Sequence, residues 1–358
     1  MSTSRLDICK TARKYRWKSY LTLSRKSIAR EVNMAAKQAV QRLASQFAEA
    51  AARGACVAPN TQRDYQLLRR RKEKGTVLEP FPRLFAPTDS WRALGDRQRY
   101  LYAIRSMAEK HPDWIFSSFS AAVIHGLAVS KKQLQTIHIN SPRGHCGEAP
   151  AGIVRHRPNP PSYVIEGGIK TTPLIETLFT CAAVGGFSEG LVVADSFLRN
   201  GEMDNEQLRA QFLDIGKNRP GKSCALKVAR YANGGAENGG ESKARAAMIE
   251  GGWDIPDLQV EIDDPMRPGN PYRVDFVWLD LPRPVIGELD GFEKYTGREP
   301  SNDAKRALEV MVRERQRESR LSLAGFTVMR FTMADVNTPE RLYRKMELAG
   351  IPRYSSKG

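Results

Sequence analysis

Between Leu258 and Asp290 three short segments alternate apolar and polar residues, separated by turns rich in proline and glycine. Leu258 to Ile262 comes first. The turn Pro268-Gly269-Asn270 leads into Tyr272 to Trp278, where Arg273, Asp275 and Val277 alternate with Val274, Phe276 and Trp278. Pro282 to Pro284 breaks the pattern again before Val285-Ile286-Gly287-Glu288-Leu289-Asp290. A period of two is the signature of strands, so this stretch predicts a sheet. It also places Glu288 and Asp290 on one face of the last strand, and a hairpin can carry Asp275 alongside Glu288. Upstream, Glu241 opens a helix that runs to Glu250 and stops at Gly251-Gly252. Carboxylates gathered at a sheet edge repel one another unless a cation neutralises them. Hard oxygen donors of this kind suit Mg2+ or Mn2+ rather than Zn2+. Such an ion lowers the pKa of bound water and stabilises charge on a phosphodiester undergoing displacement.

The rest of the composition bears on partners. The chain has 358 residues, enough for two or three domains, and its 41% hydrophobic and 27% charged content is that of a globular protein. Its net charge of +16 is unevenly placed. Residues 1–75 carry 18 Lys+Arg against 5 Asp+Glu, whereas residues 241–358 carry 19 against 20. A positive field concentrated at one end attracts a polyanion and gives salt-dependent affinity for phosphate backbones. The sequence shows no uninterrupted apolar run approaching the roughly 18 residues of a membrane span, and the basic stretch from Met1 to Arg30 has no signal-peptide core, so no membrane partner is expected. Cys9, Cys56, Cys146, Cys181 and Cys224 are scattered without a CxxC pair, which argues against disulfides and a zinc cluster and for a reducing cytoplasm. The basic charge makes association with the nucleoid the further expectation.

Ser24 to Ala52 reads as one long helix, with Arg25 and Lys26 on its polar face. Gly54 to Asn60 is expected to be a linker. A short helix then ends in Arg69-Arg70-Arg71-Lys72, and Thr76 to Glu79 with Arg83 to Ala86 form a hairpin. A basic helix followed by a hairpin is the outline of a winged helix, which makes Arg25, Lys26, Arg69, Arg70, Arg71 and Lys72 candidate nucleic-acid contacts. Helices are expected over 97–110, 117–127 and 173–198, and within 201–221, with strands at 135–140 and 163–165. Asn233 to Gly240, with four glycines in eight residues, reads as a second linker. His125 is expected to meet the last carbonyls of its own helix, His138 to pack on a strand, and Asp195 to cap or pair structurally. His145-Cys146 is a conceivable metal pair with nothing nearby to complete it.

The acidic string is part of a longer ordered set: Glu241-Ser242, Arg273-Val-Asp275, Ile286-Gly-Glu288-Leu-Asp290-Gly-Phe-Glu-Lys294-Tyr295, and Leu321-x-x-Ala-Gly-Phe-Thr-Val-Met-Arg330-Phe331. Over residues 237–340 this set resembles the PD-(D/E)XK nuclease superfamily, in particular its very-short-patch-repair-like branch. The resemblance implies a restriction-endonuclease-like core and Mg2+- or Mn2+-dependent phosphodiester hydrolysis. Asp275, Glu288 and Asp290 would be the metal ligands and Glu241 the helix acid. Where the superfamily usually has lysine this chain has Asp290, and Lys294 is the nearby cation able to substitute. Arg313, Arg315 and Arg317 alternate with Glu314 and Glu318 along a helix expected over 304–324; most are expected to form surface pairs, one or two to face phosphate. Arg330 is expected either to contact nucleic acid or to brace an acidic motif residue.

Residues 60–230 resemble AbiEi-type antitoxin regulators through Thr76-Val-Leu-Glu79, Arg83-Leu-Phe-Ala86, Ser117 to Leu127, Gly168 to Pro173 and Leu191 to Leu198. That resemblance implies a DNA-binding, autorepressing module and a nucleotidyltransferase toxin as partner. Together the readings give a multidomain α/β (α+β) chain. It comprises a basic helical extension over 1–57, a winged-helix-like unit over 58–96, an AbiEi-like α+β region over 97–232, and an endonuclease-like mixed sheet flanked by helices over 233–358. The expected function is metal-dependent endonucleolytic cleavage of DNA; the alternative is an antitoxin-like repressor whose nuclease fold is catalytically inactive.

Overall fold

A computed structural model describes residues 34, 37–140, 151–156, 162–264, 266–267, 269–290 and 300–354, and for 300–311 only the backbone. Arg25, Lys26, Lys294, His145, Cys9 and Cys146 lie outside the described residues. The architecture is mixed α+β, as expected, and it divides into two compact units at Lys110 and His111.

The first unit contains helix α1 (residues 37–52), α2 (Gln62–Glu73), the hairpin β1 (Val77–Phe81) and β2 (Leu84–Pro87), α3 (Thr88–Ala93) and α4 (Asp96–Lys110). Leu43, Ala50, Val57, Leu68, Val77 and Phe85 form its core. Thr61 caps α2 by accepting from the Asp64 N–H, and the Asp64 carboxylate in turn accepts from Thr61 and Arg42. The stretch expected to be the first linker is instead part of the core. Ala55, Cys56 and Val57 are buried, Val57 and Phe85 exchange backbone hydrogen bonds of 2.8 and 2.9 Å, and the Cys56 N–H donates to Ser106 Oγ on α4. Small residues are as useful under a helix as in a turn, and here the apolar Ala-Cys-Val decides the matter. Burial pushes the Cys56 thiol up to about 12, so it stays a protonated core residue.

The second unit holds two sheets. In the first, the strands run in the order β5 (Ile153–His156), β4 (Ile137–Asn140), β3 (Ile115–Phe116), β7 (Ile169–Thr171) and β6 (Val164–Glu166). Helix α5 (Ser118–Ile124) follows β3, and α6 (Leu174–Leu198), α7 (Asn205–Ile215) and α8 (Lys222–Tyr231) complete this half. His125 turns away from its own helix: its Nε2 lies 2.8 Å from the Thr172 carbonyl. His138 packs, as expected, with Nδ1 2.9 Å from His156 Nε2. Burial, and then the neighbouring His156, lower the His138 pKa from 6.5 to about 4. The fold therefore keeps a neutral imidazole that the unfolded chain would protonate, so its stability is complete above pH 6.5 and declines as the pH falls toward 4. The loss amounts to about 3 kcal/mol at most. Urea midpoints should fall over that window in the wild type and fall less in His138→Gln; parallel curves would contradict this.

Helix α6 is long and apolar enough to cross a membrane by length and composition, a property that reading for uninterrupted apolar runs misses because Gly, Ser and Thr are interspersed. Most of it is buried within the unit, and Gly186, at φ 81°, breaks it in two. Along its second half sit two buried acids. Asp195 Oδ2 accepts from Arg245 at 3.0 Å, with side-chain exposures of 1% and 3%, and Glu189 pairs with Lys243 at 2.8 Å. Arg245 and Lys243 both belong to α9 (Gly239–Glu250).

These pairs correct the second expected linker. Residues 233–238 are a tight loop inside one compact unit, and Gly239 and Gly240 already begin α9: the Asn233 N–H donates to Asp195, and Arg199 holds the carbonyls of Ala236 and Glu237. Its glycine at 234 permits close approach, since a Cβ there would come within 2.8 Å of the Leu198 backbone.

The second sheet has the order β11 (Thr327–Thr332), β10 (Val285–Asp290), β9 (Tyr272–Trp278) and β8 (Asp257–Ile262). β8, β9 and β10 pair antiparallel, as their short turns require. β11 is parallel to β10, and α10 (Pro300–Leu323) lies between them in sequence. One face packs Phe276, Trp278 and Val285 with Ala244 and Met248 of α9, α11 (Met333–Val336) and α12 (Pro339–Leu348). The other packs Val274, Val277 and Ile286 with Leu321 of α10.

Candidate functional site

Val274 and Val277 share the cluster under α10 although they are three positions apart, an odd spacing that strict alternation would put on opposite faces. The alternation of β9 therefore slips across Asp275 and Phe276. Pairing of β9 with β10 ends at Phe276 and Gly287, one step short of the level at which Asp275 would face Glu288. Asp275 fills the gap by accepting the Leu289 N–H on Oδ2 at 3.0 Å. On its other side lies β8, where Gln259 sits between the pairs Leu258–Phe276 and Val260–Val274 and so stands opposite Asp275. Gln259 has φ 54°, an unfavourable conformation for a non-glycine residue, roughly 1–2 kcal/mol above the ordinary strand. Its Nε2 donates both to Asp275 Oδ1 at 3.4 Å and to Glu241 Oε2 at 3.2 Å.

Glu241 arrives from the first turn of α9, where the Asn238 side chain caps the helix by accepting the N–H groups of Gly240 and Glu241. A carboxylate there is favoured by the free N–H groups of the first turn. It is buried, and it also accepts from the Glu237 N–H at 2.7 Å and from Asn238 Nδ2. Burial raises its pKa against that hydrogen bond, and the neighbouring Asp275 raises it further.

Glu288 is the most perturbed carboxylate of the group. Burial first, and then Asp275, raise its pKa to about 7, against the opposing pull of Arg317. Arg317 Nη2 reaches Glu288 Oε1 at 2.9 Å and also donates to the Arg273 carbonyl at 2.7 Å. Glu241, Asp275 and Glu288 thus form one electrostatically coupled row across α9, β9 and β10, with Gln259 inserted between the first two.

Asp290 does not join the row. Its side chain is 47% exposed and pairs at 3.0 Å with Arg330. Arg330 also reaches Glu314 at 2.7 Å and Glu318 at 3.8 Å. Arg330 therefore braces acidic groups, the second of its two expected roles. Among the described residues no three His, Cys, Asp or Glu side chains gather closely enough to hold an ion between them. Of the expected trio, Asp275 and Glu288 come together and Asp290 stands apart with Arg330. A pair still fits Mg2+, which usually takes one or two protein carboxylates and fills its shell with water and substrate oxygens.

Gln259 had no assigned place in the sequence reading, and Arg317 was expected only as one of the α10 arginines that pair at the surface or face phosphate. Alternation along β8 gives no hint of a left-handed backbone at Gln259. Arg317 is one of several arginines spaced for surface pairs on α10, and only the sheet beneath shows which of them turns inward.

In the first unit Arg69, Arg70 and Lys72 are exposed and Arg71 is half-buried at the end of α2. Lys72 bonds Glu79 on the hairpin at 2.8 Å, so it ties helix to hairpin. Cations in a last turn also stabilise the helix they end.

No family model matches the chain. It is 32% identical over 127 residues to two Mycobacterium tuberculosis proteins, Uncharacterized protein MT2308 of strain CDC 1551 / Oshkosh and Uncharacterized protein Rv2248 of strain ATCC 25618 / H37Rv. The matched stretch covers 35% of this chain and 42% of each relative, less than half the length of the curated proteins it matches.

Proposed function

We propose that this chain binds DNA through its basic first unit and hydrolyses phosphodiester bonds at the acidic row of the second. The observation that carries the reading is the placement of Asp275 and Glu288 side by side where two strands part, with the pKa of Glu288 raised to about 7. Asp275 and Glu288 would hold Mg2+ or Mn2+, and the ion would supply an activated water and charge stabilisation at the phosphate. Gln259 keeps Glu241 and Asp275 apart while bonding both, and the Leu289 N–H fixes the remaining oxygen of Asp275. Glu241 accepts from three protein donors, the Glu237 N–H, Asn238 and Gln259, and is the most buried acid of the row, so its work is to orient Gln259 and to add negative potential.

Plasmid and oligonucleotide cleavage with Mg2+, Mn2+ or EDTA tests this. Cleavage that needs the ion is expected; DNA binding without cleavage under either metal would reject the hydrolytic reading. In the first unit, Arg69→Ala with Arg70→Ala should weaken binding and lower the slope of log affinity against log salt by about one per lost phosphate contact. Fluorescence anisotropy over a salt series reads this directly; an unchanged slope would remove α2 from the interface.

A second reading has its own observation. Arg317 and Arg330 neutralise Glu288 and Asp290 from within the protein. A row balanced in this way also suits a DNA-binding regulator of the antitoxin type in which the nuclease-like fold is a platform, with a nucleotidyltransferase toxin as partner. The same cleavage assay separates the two.

A further inference from the structure

Two guanidinium groups face the acidic end of β10, and they are not equivalent. Arg330 is held among three acids, Asp290, Glu314 and Glu318. Arg317 meets one carboxylate and one backbone carbonyl, both through Nη2. Its Nε is buried and makes no hydrogen bond; the Nε of Arg330 makes none either but lies 3.8 Å from the Glu318 carboxylate, whereas that of Arg317 has no acid beside it in an ion pair. Its guanidinium carbon lies 5.5 Å from the centre of the Tyr272 ring, a face that supports a cation without occupying its donors. Arg317 is therefore a half-buried cation with donor capacity to spare, fixed to the acid on which the proposed ion would sit.

We infer that Arg317 is a built-in counter-ion for Glu288, competing with the divalent cation and contacting the substrate phosphate once that cation is bound. The inference rests on the phosphodiesterase reading above. While the site holds no ion, the Arg317 charge offsets the buried Glu288 carboxylate. When a divalent cation takes over that role, the hold of Glu288 on Arg317 weakens. A planar fork of donors beside the ion is then suited to a phosphate oxygen. The positive group expected at Asp290 or from Lys294 would on this account come from α10.

The competition gives two effects of opposite sign. In the full chain, Arg317→Met or Arg317→Gln should bind Mn2+ at least about fivefold more tightly, because a positive charge next to the ion has gone. The same variants should cleave DNA roughly 100-fold more slowly, because a donor to the phosphate has gone. Arg317→Lys, which keeps the charge, should return Mn2+ affinity to near the wild-type value and recover part of the cleavage. Free Mn2+ measured by electron paramagnetic resonance gives the affinity, and thermal melts identify the variants that fold. A folded neutral variant that binds Mn2+ no more tightly than wild type, or cleaves as fast, would overturn the inference alone. Failure of wild type itself to bind Mn2+ would overturn the phosphodiesterase reading and this inference with it.

Discussion

Asp275→Ala and Glu288→Ala should each lower metal-dependent cleavage by about a thousandfold or more, while DNA affinity stays within about twofold of wild type. A bound ion that stabilises a developing phosphate charge supplies several kcal/mol, and each 1.4 kcal/mol is a factor of ten in rate. Both residues are needed because their two carboxylates stand where the pairing of β9 and β10 ends. Asp290→Ala should fall by much less, since that side chain is half-exposed and serves Arg330. Cleavage rates at saturating Mg2+ and binding curves in EDTA check both halves. Equal losses at Asp275, Glu288 and Asp290 would restore the original trio, and no loss at any of them would place the chemistry elsewhere.

The second large effect is on stability. Asp195→Ala removes the partner of Arg245, whose side chain is 3% exposed, and so strands a buried charge. The expected cost is about 3–5 kcal/mol, read as a lower urea midpoint of the second unit. The paired replacement Asp195→Leu with Arg245→Met should recover most of the loss, because two apolar side chains have no charge to desolvate. Burial raises the Asp195 pKa to about 6 even with Arg245 beside it, so the pair is not at full strength at mildly acid pH. The sign is that of a group more easily protonated when folded: its contribution to stability falls as pH rises from about 4 to about 6 and is level above. A loss under 1 kcal/mol in Asp195→Ala would show that water reaches Arg245. The same variant should also weaken catalysis, because α9 carries Glu241 and is pinned to α6 through this pair and through Lys243–Glu189.

The strands of the candidate site follow from alternation, which puts Asp275 and Glu288 on them, and Glu241 follows from the helix expected just before them. What alternation does not contain is the partner of each acid. Asp290 has the same parity as Glu288, yet parallel pairing with β11 sets Arg330 opposite Glu288, and the Arg330 side chain reaches the exposed acid at the strand end. Gln259 depends on a single backbone dihedral, and Arg317 on the rotation of one helix over the sheet. The two misread linkers share another cause. Glycine marks both flexible chain and places where two backbones touch, and at Gly234 the second meaning holds because Leu198 lies directly beneath. Asp195 and Arg245 stand fifty residues apart in sequence, so the bond that joins the middle of the chain to its last sheet has no local signal.

A titration of the full chain with Mn2+ bears most directly on the central claim, that Asp275 and Glu288 together hold a divalent cation for phosphodiester hydrolysis. Wild type should bind Mn2+ saturably, and Glu288→Gln, which keeps the shape and removes the charge, should lose the affinity by about 100-fold or more. Equal Mn2+ binding by wild type and Glu288→Gln, or none by either, would contradict it.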